Sequence, residues 1–167
     1  MFLLRYTDGD DRHGEHFTFY PQVPALLFEL RAHHPNIRIA AASRTHTPEL
    51  AREMLKLLVI SPYTSSSPLT GDAKEPSSKE SNKAIDLFDN MEIYPANKIQ
   101  HFNALHKATK VAYEDMIFFD DEARNRNVEK ELDVVFCLVE DGVSGKVLDE
   151  GVDRWRKKWG KSGRGMV

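Results

Sequence analysis

Four short stretches carry residues whose types and spacing suit chemistry on a phosphoryl group. Asp8-Gly9-Asp10 is an Asp-x-Asp behind a short apolar run. In phosphoryl transfer one such carboxylate can attack phosphorus, the other can handle protons, and both can reach a divalent cation. Ser43-Arg44-Thr45 follows IRIAAA and offers a hydroxyl, a guanidinium and adjacent backbone N–H groups. Lys98 follows MEIYPAN and offers an ammonium. Asp120-Asp121-Glu122 follows MIFF. Two carboxylates ending a buried strand repel each other and require a cation or hydrogen-bond donors nearby. A phosphate beside Mg²⁺ would answer all of these, since Mg²⁺ prefers hard oxygen ligands and retains several waters.

Taken singly, each stretch has a plainer reading. Ser43 alone is a turn residue, and Lys98 alone is a solvated lysine near a helix start. The combination gains force because each member falls at the end of a predicted strand, and open α/β sheets bind ligands at the carboxyl ends of their strands.

The elements that position these residues alternate between helix and apolar strand. HFTFY reads as a strand. PQVPALLFELRAHH reads as a helix, with Pro24 in its first turn and Val23, Leu26, Leu27 and Leu30 as its apolar stripe. IRIAAAS at 37–43 reads as a strand, and Thr47 as the N-cap of a helix whose apolar side is Leu50, Met54, Leu57 and Leu58. Residues 61–83 are rich in Ser, Pro, Lys and Glu and are expected to be a flexible surface insertion. AIDLFDNMEIYP gives a short helix or turn and a short strand. KIQHFNALHKATK is helical, MIFFD a strand, Asn125 to Leu132 a helix, and VVFCLV a strand. SGKVLDEGVDRWRKKW is a final helix, and 161–167 are expected to fray. Near-continuous apolar strands between helices predict a doubly wound, largely parallel sheet, of Rossmann-like type, with helices on both faces.

With 167 residues the chain is read as a single domain over 1–160. Its 41% hydrophobic and 29% charged composition is that of a soluble globular protein, and a net charge of −3 argues against bulk attraction to nucleic acid or membrane. The single cysteine, Cys137, allows no internal disulfide and points to a cytoplasmic or nuclear protein. Cys137 itself reads as an inert buried thiol. The seven histidines show no zinc pattern; His46 could edge the site, while His101 and His106 read as packing or surface residues. Trp155 and Trp159 share a helix face in a basic segment, which favours a docked terminal helix over a nucleic-acid contact.

AAASRT, IYPANKIQHF and MIFFDDEARN, together with FYPQVPALLFEL, resemble successive motifs of the magnesium-dependent phosphatase-1 family. These are members of the haloacid dehalogenase-like superfamily without a large cap domain. The resemblance implies Mg²⁺-dependent phosphomonoester hydrolysis through an aspartyl-phosphate. The implied substrate is a small phosphomonoester, such as a sugar phosphate, or a phosphotyrosine-like group on a protein. It makes Ser43 and Arg44 substrate contacts, Lys98 the phosphate-stabilising lysine, Asp121 the metal ligand with Asp120 supporting it, and Asn125 an outer support.

One departure stands out. The family opens with a central strand ending Asp-x-Asp-x-Thr, its first Asp the nucleophile and its second the acid/base. Here Arg12 occupies the Thr position, Arg5 would be a charge buried mid-sheet, and the interval to Ser43 is short. Asp8-Gly9-Asp10 therefore reads as a loop before a hairpin strand, with Asp8 and Asp10 as the fallback catalytic pair. The domain is read as truncated at its N-terminus, leaving its second and fourth strands without a shared neighbour. The alternatives are a non-catalytic phosphate-binding relative and an interaction module acting through the basic terminal helix.

Overall fold

Strands with apolar residues on both faces need cover on both sides, and the computed structural model shows how this chain provides it. It describes residues 4–8, 15–60 and 82–160. Strands β1 (Leu4–Asp8) and β2 (Glu15–Phe19) form an antiparallel hairpin with Leu4 opposite Phe19 and Asp8 opposite Glu15. Helix α1 spans Val23–His33; Pro24 sits in its first turn, where no N–H is required. Val23 and Leu27 are buried, and Leu26 and Leu30 pack beside them, as their spacing predicts.

Strand β3 is Ala40–Ser43, shorter than the predicted 37–43. The reason lies one residue upstream. The Ile39 N–H donates to Asp89 Oδ2 at 2.7 Å, and its carbonyl accepts from the Asp89 N–H at 2.8 Å. A carboxylate thus replaces the ladder there.

Helix α2 (Pro48–Leu57) departs from its predicted apolar side at Leu50 and Leu57, while Leu58 packs inward as predicted. Leu50 and Leu57 are 58% and 78% exposed, while Leu55 is buried and Ala51 and Leu58 pack with it. Two apolar arcs overlap on this helix, and the inward one includes an alanine that contributes little pattern. Strands β4 (Val59–Ile60) and β5 (Asn82–Lys83) pair antiparallel. Asn82 and Lys83 therefore belong to the fold and not to the insertion; residues 61–81 and 161–167 lie outside the described residues. Then follow β6 (Asn90–Ile93), α3 (Lys98–Thr109), β7 (Ile117–Asp120), α4 (Asn127–Leu132), β8 (Val135–Leu138) and α5 (Gly145–Trp159).

The class is mixed α/β with parallel strands, but the described strands do not form one sheet. β3 pairs with β6 and β7 with β8, each parallel. Helices do cover both faces. Phe118 packs with Phe102, Val128 and Phe136 beneath α3 and α4. Its neighbours Ile117 and Phe119 join Val23, Leu27 and Leu148 beneath α1 and α5. Contact with α5 is close: a Cβ on Gly151 would stand 2.7 Å from Phe119 Cζ and 3.2 Å from Cys137 Sγ. Burial raises the Cys137 pKa, keeping the thiol protonated, in line with an inert role.

Between the two strand pairs lies a cavity of about 410 Å³, lined by Ala40, Ala42, Ile117 and Phe119 and by apolar side chains of α1, α3 and α5. Backbone hydrogen bonding explains its position. The Ser43 carbonyl accepts from Tyr94 N–H, so alternation turns the Ala40 and Ala42 peptide groups away from β6. The Met116 and Asp120 carbonyls accept from Val135 and Val139 N–H, so those of Ile117 and Phe119 turn away from β8. Among the described residues no strand is paired between β3 and β7.

Candidate active site

The carboxyl ends of β3 and β7 meet at a polar pocket of about 660 Å³. Ser43, Arg44, Lys98, Asp120 and Asp121 all line it, so five of the site residues expected from sequence converge. His46 is exposed on its edge. Asp8 ends β1 in the hairpin with β2, and Asp10 lies outside the described residues.

Lys98 is positioned by the start of α3. Asn97 Oδ1 accepts the Gln100 N–H at 2.9 Å, and Gln100 Oε1 accepts the Asn97 N–H at 3.3 Å. This capping box satisfies two otherwise orphaned donors and fixes the first turn. The Lys98 side chain then runs inward and is only 5% exposed. Its Nζ donates to the Ala42 carbonyl at 2.6 Å and pairs with Asp120 Oδ2 at 3.3 Å. Burial holds its pKa below the ordinary 10.5, although the Asp120 charge and hydrogen bond oppose that shift.

Asp120 is equally enclosed. Its Oδ1 accepts from the Glu122 N–H at 2.9 Å and from Asn125 Nδ2 at 2.7 Å. Asn125 is itself buried. Three donors, the Lys98 ammonium among them, therefore reach this carboxylate, and both buried charges are compensated. Asp121 next door is exposed on the pocket wall.

Glu122, named in the sequence only as the end of an acidic stretch, and Arg124, not singled out there, also line the pocket. Glu122 Oε2 accepts from Arg44 Nη2, its Oε1 accepts from Arg124 Nη2, and Asn125 Nδ2 reaches Oε2 at 3.0 Å. The Arg124 hydrogen bond is the main reason that the Glu122 pKa lies below its usual 4.5, with Asn125 and Arg44 adding to it against burial. A signal existed in DDEAR, where an acid and a base stand two apart on a turn. Nothing in the sequence showed Arg44 arriving from 78 positions away.

Among the described residues no group of three or more His, Cys, Asp or Glu side chains is placed to hold a metal ion. The donor set still suits Mg²⁺, which often takes one or two protein carboxylates and completes its shell with water and phosphate oxygens. Asp121 is the carboxylate available for that purpose, because the Asp120 oxygens are already engaged.

His101 is a buried packing residue, as expected. Its Nε2 donates to the Tyr94 carbonyl at 3.1 Å, and its ring meets the Tyr94 ring edge-on at 4.5 Å. Burial pushes its pKa below the ordinary 6.5. The terminal helix is docked: Trp155 Nε1 donates to the Glu114 carbonyl at 2.6 Å, and Arg154 pairs with Glu129 at 2.8 Å.

Parallel strands deliver a buried lysine–carboxylate pair, a guanidinium and a serine to one rim of an α/β protein. Sequence comparison supplies the family. The Acid Phosphatase family model matches residues 5–158, and the chain belongs to that family, within the haloacid dehalogenase-like superfamily. A Schizosaccharomyces pombe protein described as a HAD-like hydrolase superfamily protein is 33% identical over 120 residues, covering 72% of this chain and 60% of that protein. Human magnesium-dependent phosphatase 1 is 31% identical over 147 residues, covering 88% of this chain and 69% of the relative. A putative magnesium-dependent phosphatase of Saccharomyces cerevisiae is 29% identical over 138 residues, covering 80% and 67%. The resemblance drawn from AAASRT, IYPANKIQHF and MIFFDDEARN is thereby shown. Among the described residues no helix is long and apolar enough to cross a membrane.

Proposed function

We propose that this chain is a Mg²⁺-dependent phosphomonoester hydrolase domain whose rim pocket receives the phosphoryl group. The observation that carries this reading is Lys98, an ammonium held almost wholly buried at the pocket floor between the Ala42 carbonyl and Asp120. A desolvated cation fixed at the strand ends attracts an anion more strongly than a solvated one, and it needs no reorganisation when the anion arrives. The Ser43 hydroxyl and the N–H groups after β3 would cradle phosphate oxygens, and Arg44 would add a charged donor. Asp121, backed by Asp120, would hold Mg²⁺. The bound metal would offset charge on the phosphoryl oxygens.

The family's mechanism also requires a carboxylate nucleophile and a second carboxylate for proton transfer. Asp8 and Asp10 are the pair that this sequence offers for those roles. The pocket is open enough for a small phosphomonoester, a sugar phosphate or a phosphotyrosine-like group on a protein. One cysteine and the absence of a long apolar helix among the described residues are compatible with action in the cytoplasm or nucleus.

Phosphate release from p-nitrophenyl phosphate, with Mg²⁺ or with EDTA, tests the reading. Turnover that requires Mg²⁺ and disappears in Lys98→Met and Asp8→Asn supports it. Binding of phosphate without turnover favours the second reading, a non-catalytic phosphate-binding relative. One feature favours that second reading: the buried carboxylate at the described rim, Asp120, is fully engaged in hydrogen bonds and cannot attack.

A further inference from the structure

Glu122 occupies a position that the proposed reaction does not explain. Its carboxylate sits inside the rim pocket in a fork of two guanidiniums from different loops, Arg44 after β3 and Arg124 after β7. A phosphoryl dianion makes the same demand on a guanidinium as a carboxylate does: paired, planar N–H donors and a positive charge. The mobility of the two acids differs. Asp120 is 5% exposed and locked by Lys98, Asn125 and a backbone N–H, whereas the Glu122 side chain is 38% exposed and is held mainly by side chains. Of the two, Glu122 is the carboxylate that can leave its cations without uncovering a buried charge.

We propose that Glu122 is a built-in stand-in for the substrate's anion, holding Arg44 and Arg124 in position and releasing both to the phosphoryl group as it binds. The proposal rests on the phosphate-binding reading above and adds Arg124 to the residues that contact substrate. It makes Glu122 an intramolecular competitor of substrate, so that removing its charge strengthens anion binding. Exposed ion pairs are weak, so release from two of them is expected to show as a modest gain in affinity, about three- to tenfold.

The test is calorimetric titration of orthophosphate, in EDTA, into the full chain and three variants. Glu122→Gln keeps the side-chain length and the Arg-facing oxygen, so the loops remain supported. Its dissociation constant is expected to fall about three- to tenfold. Glu49→Gln removes the same charge from the exposed first turn of α2, outside the pocket lining, and is expected to change the constant less than twofold. An unchanged or weaker constant in Glu122→Gln overturns the proposal, as does equal tightening in Glu49→Gln, which would reduce the effect to net charge. Lys98→Met separates the two levels. If the parent chain binds and Lys98→Met does not, the phosphate site stands whatever Glu122 does. If the parent and Glu122→Gln both fail to bind, the phosphate-binding reading falls and the proposal falls with it.

Discussion

Two acid–base pairings share one rim and differ in nearly every physical respect. Lys98–Asp120 is buried, anchored at both ends by further hydrogen bonds, and built from the first residue of a helix and the last residue of a strand. Arg44–Glu122–Arg124 is partly solvated, made of long side chains on turns, and tied to the fold mainly through Asn125. The first behaves as structure that happens to be charged. The second behaves as an exchangeable contact. A site that must bind and release an anion needs both: a fixed charge that sets where the anion goes, and movable partners that let it in.

The largest expected break in this contrast is Lys98→Met. It leaves the Asp120 carboxylate buried without its cation, and loss of one member of a buried pair costs about 3–5 kcal/mol. Denaturant unfolding should show a large drop in midpoint. A change below about 1 kcal/mol would mean that Lys98 and Asp120 are as solvated as the outer cluster. A smaller effect is expected beneath the same strand. Gly151→Ala places a methyl against Phe119 and Cys137, and overpacking of this kind costs about 1–3 kcal/mol. If α5 moved away freely, no loss would appear. Smaller again is Glu122→Gln, whose stability change should stay within about 1 kcal/mol, as for other partly exposed pairs.

Acid should weaken the outer contacts. Hydrogen bonds from Arg124 and Asn125, with the nearby charge of Arg44, hold the folded Glu122 pKa below its ordinary 4.5. At Asp89 burial pushes upward, but hydrogen bonds from Arg31 and the Ile39 N–H, with the charges of Arg31 and Arg38, outweigh it and hold the pKa below 3.8. Both carboxyls therefore contribute stability that is present above their ordinary values and lost as pH falls through the lower folded ones. Lys98 has the same sense, at the alkaline end. Its folded pKa lies below 10.5, so the unfolded chain holds the proton more tightly and stability from this group rises with pH across that interval. Unfolding curves at acid and alkaline pH should show a loss at the first end that shrinks in Glu122→Gln. They should show a gain at the second end that vanishes in Lys98→Met.

How legible this was depended on the range of each interaction. Helix α1 and the strands at MIFFD and VVFCLV could be read from short-range apolar pattern, because burial on both faces leaves a continuous run. Ser43, Lys98 and Asp120 drew notice because each follows such a run, and family resemblance gave them parts. The capping box was present as Asn97-x-x-Gln100 and needed only local reading. The inward face of α2 was misjudged because an alanine, Ala51, carries the packing that two exposed leucines seemed to claim. The extent of β3 was misjudged because Asp89, distant in sequence, takes over the Ile39 backbone groups. The pairing of Glu122 went unread for the same reason, as its partner Arg44 is close only in the folded chain. Among the described residues no strand pairs between β3 and β7, and a cavity lined by Ala40 and Ile117 lies there.

The central claim is that a phosphoryl group binds over the buried lysine at the strand ends. A crystal structure soaked in tungstate, a heavy-atom analogue of phosphate, tests it most directly. The account predicts anomalous density within hydrogen-bond reach of Lys98, Ser43 and Arg44, with the Glu122 carboxylate turned away from Arg44. Density elsewhere on the surface, with Lys98 bound only to Ala42 and Asp120 and Glu122 still between its two arginines, would contradict it.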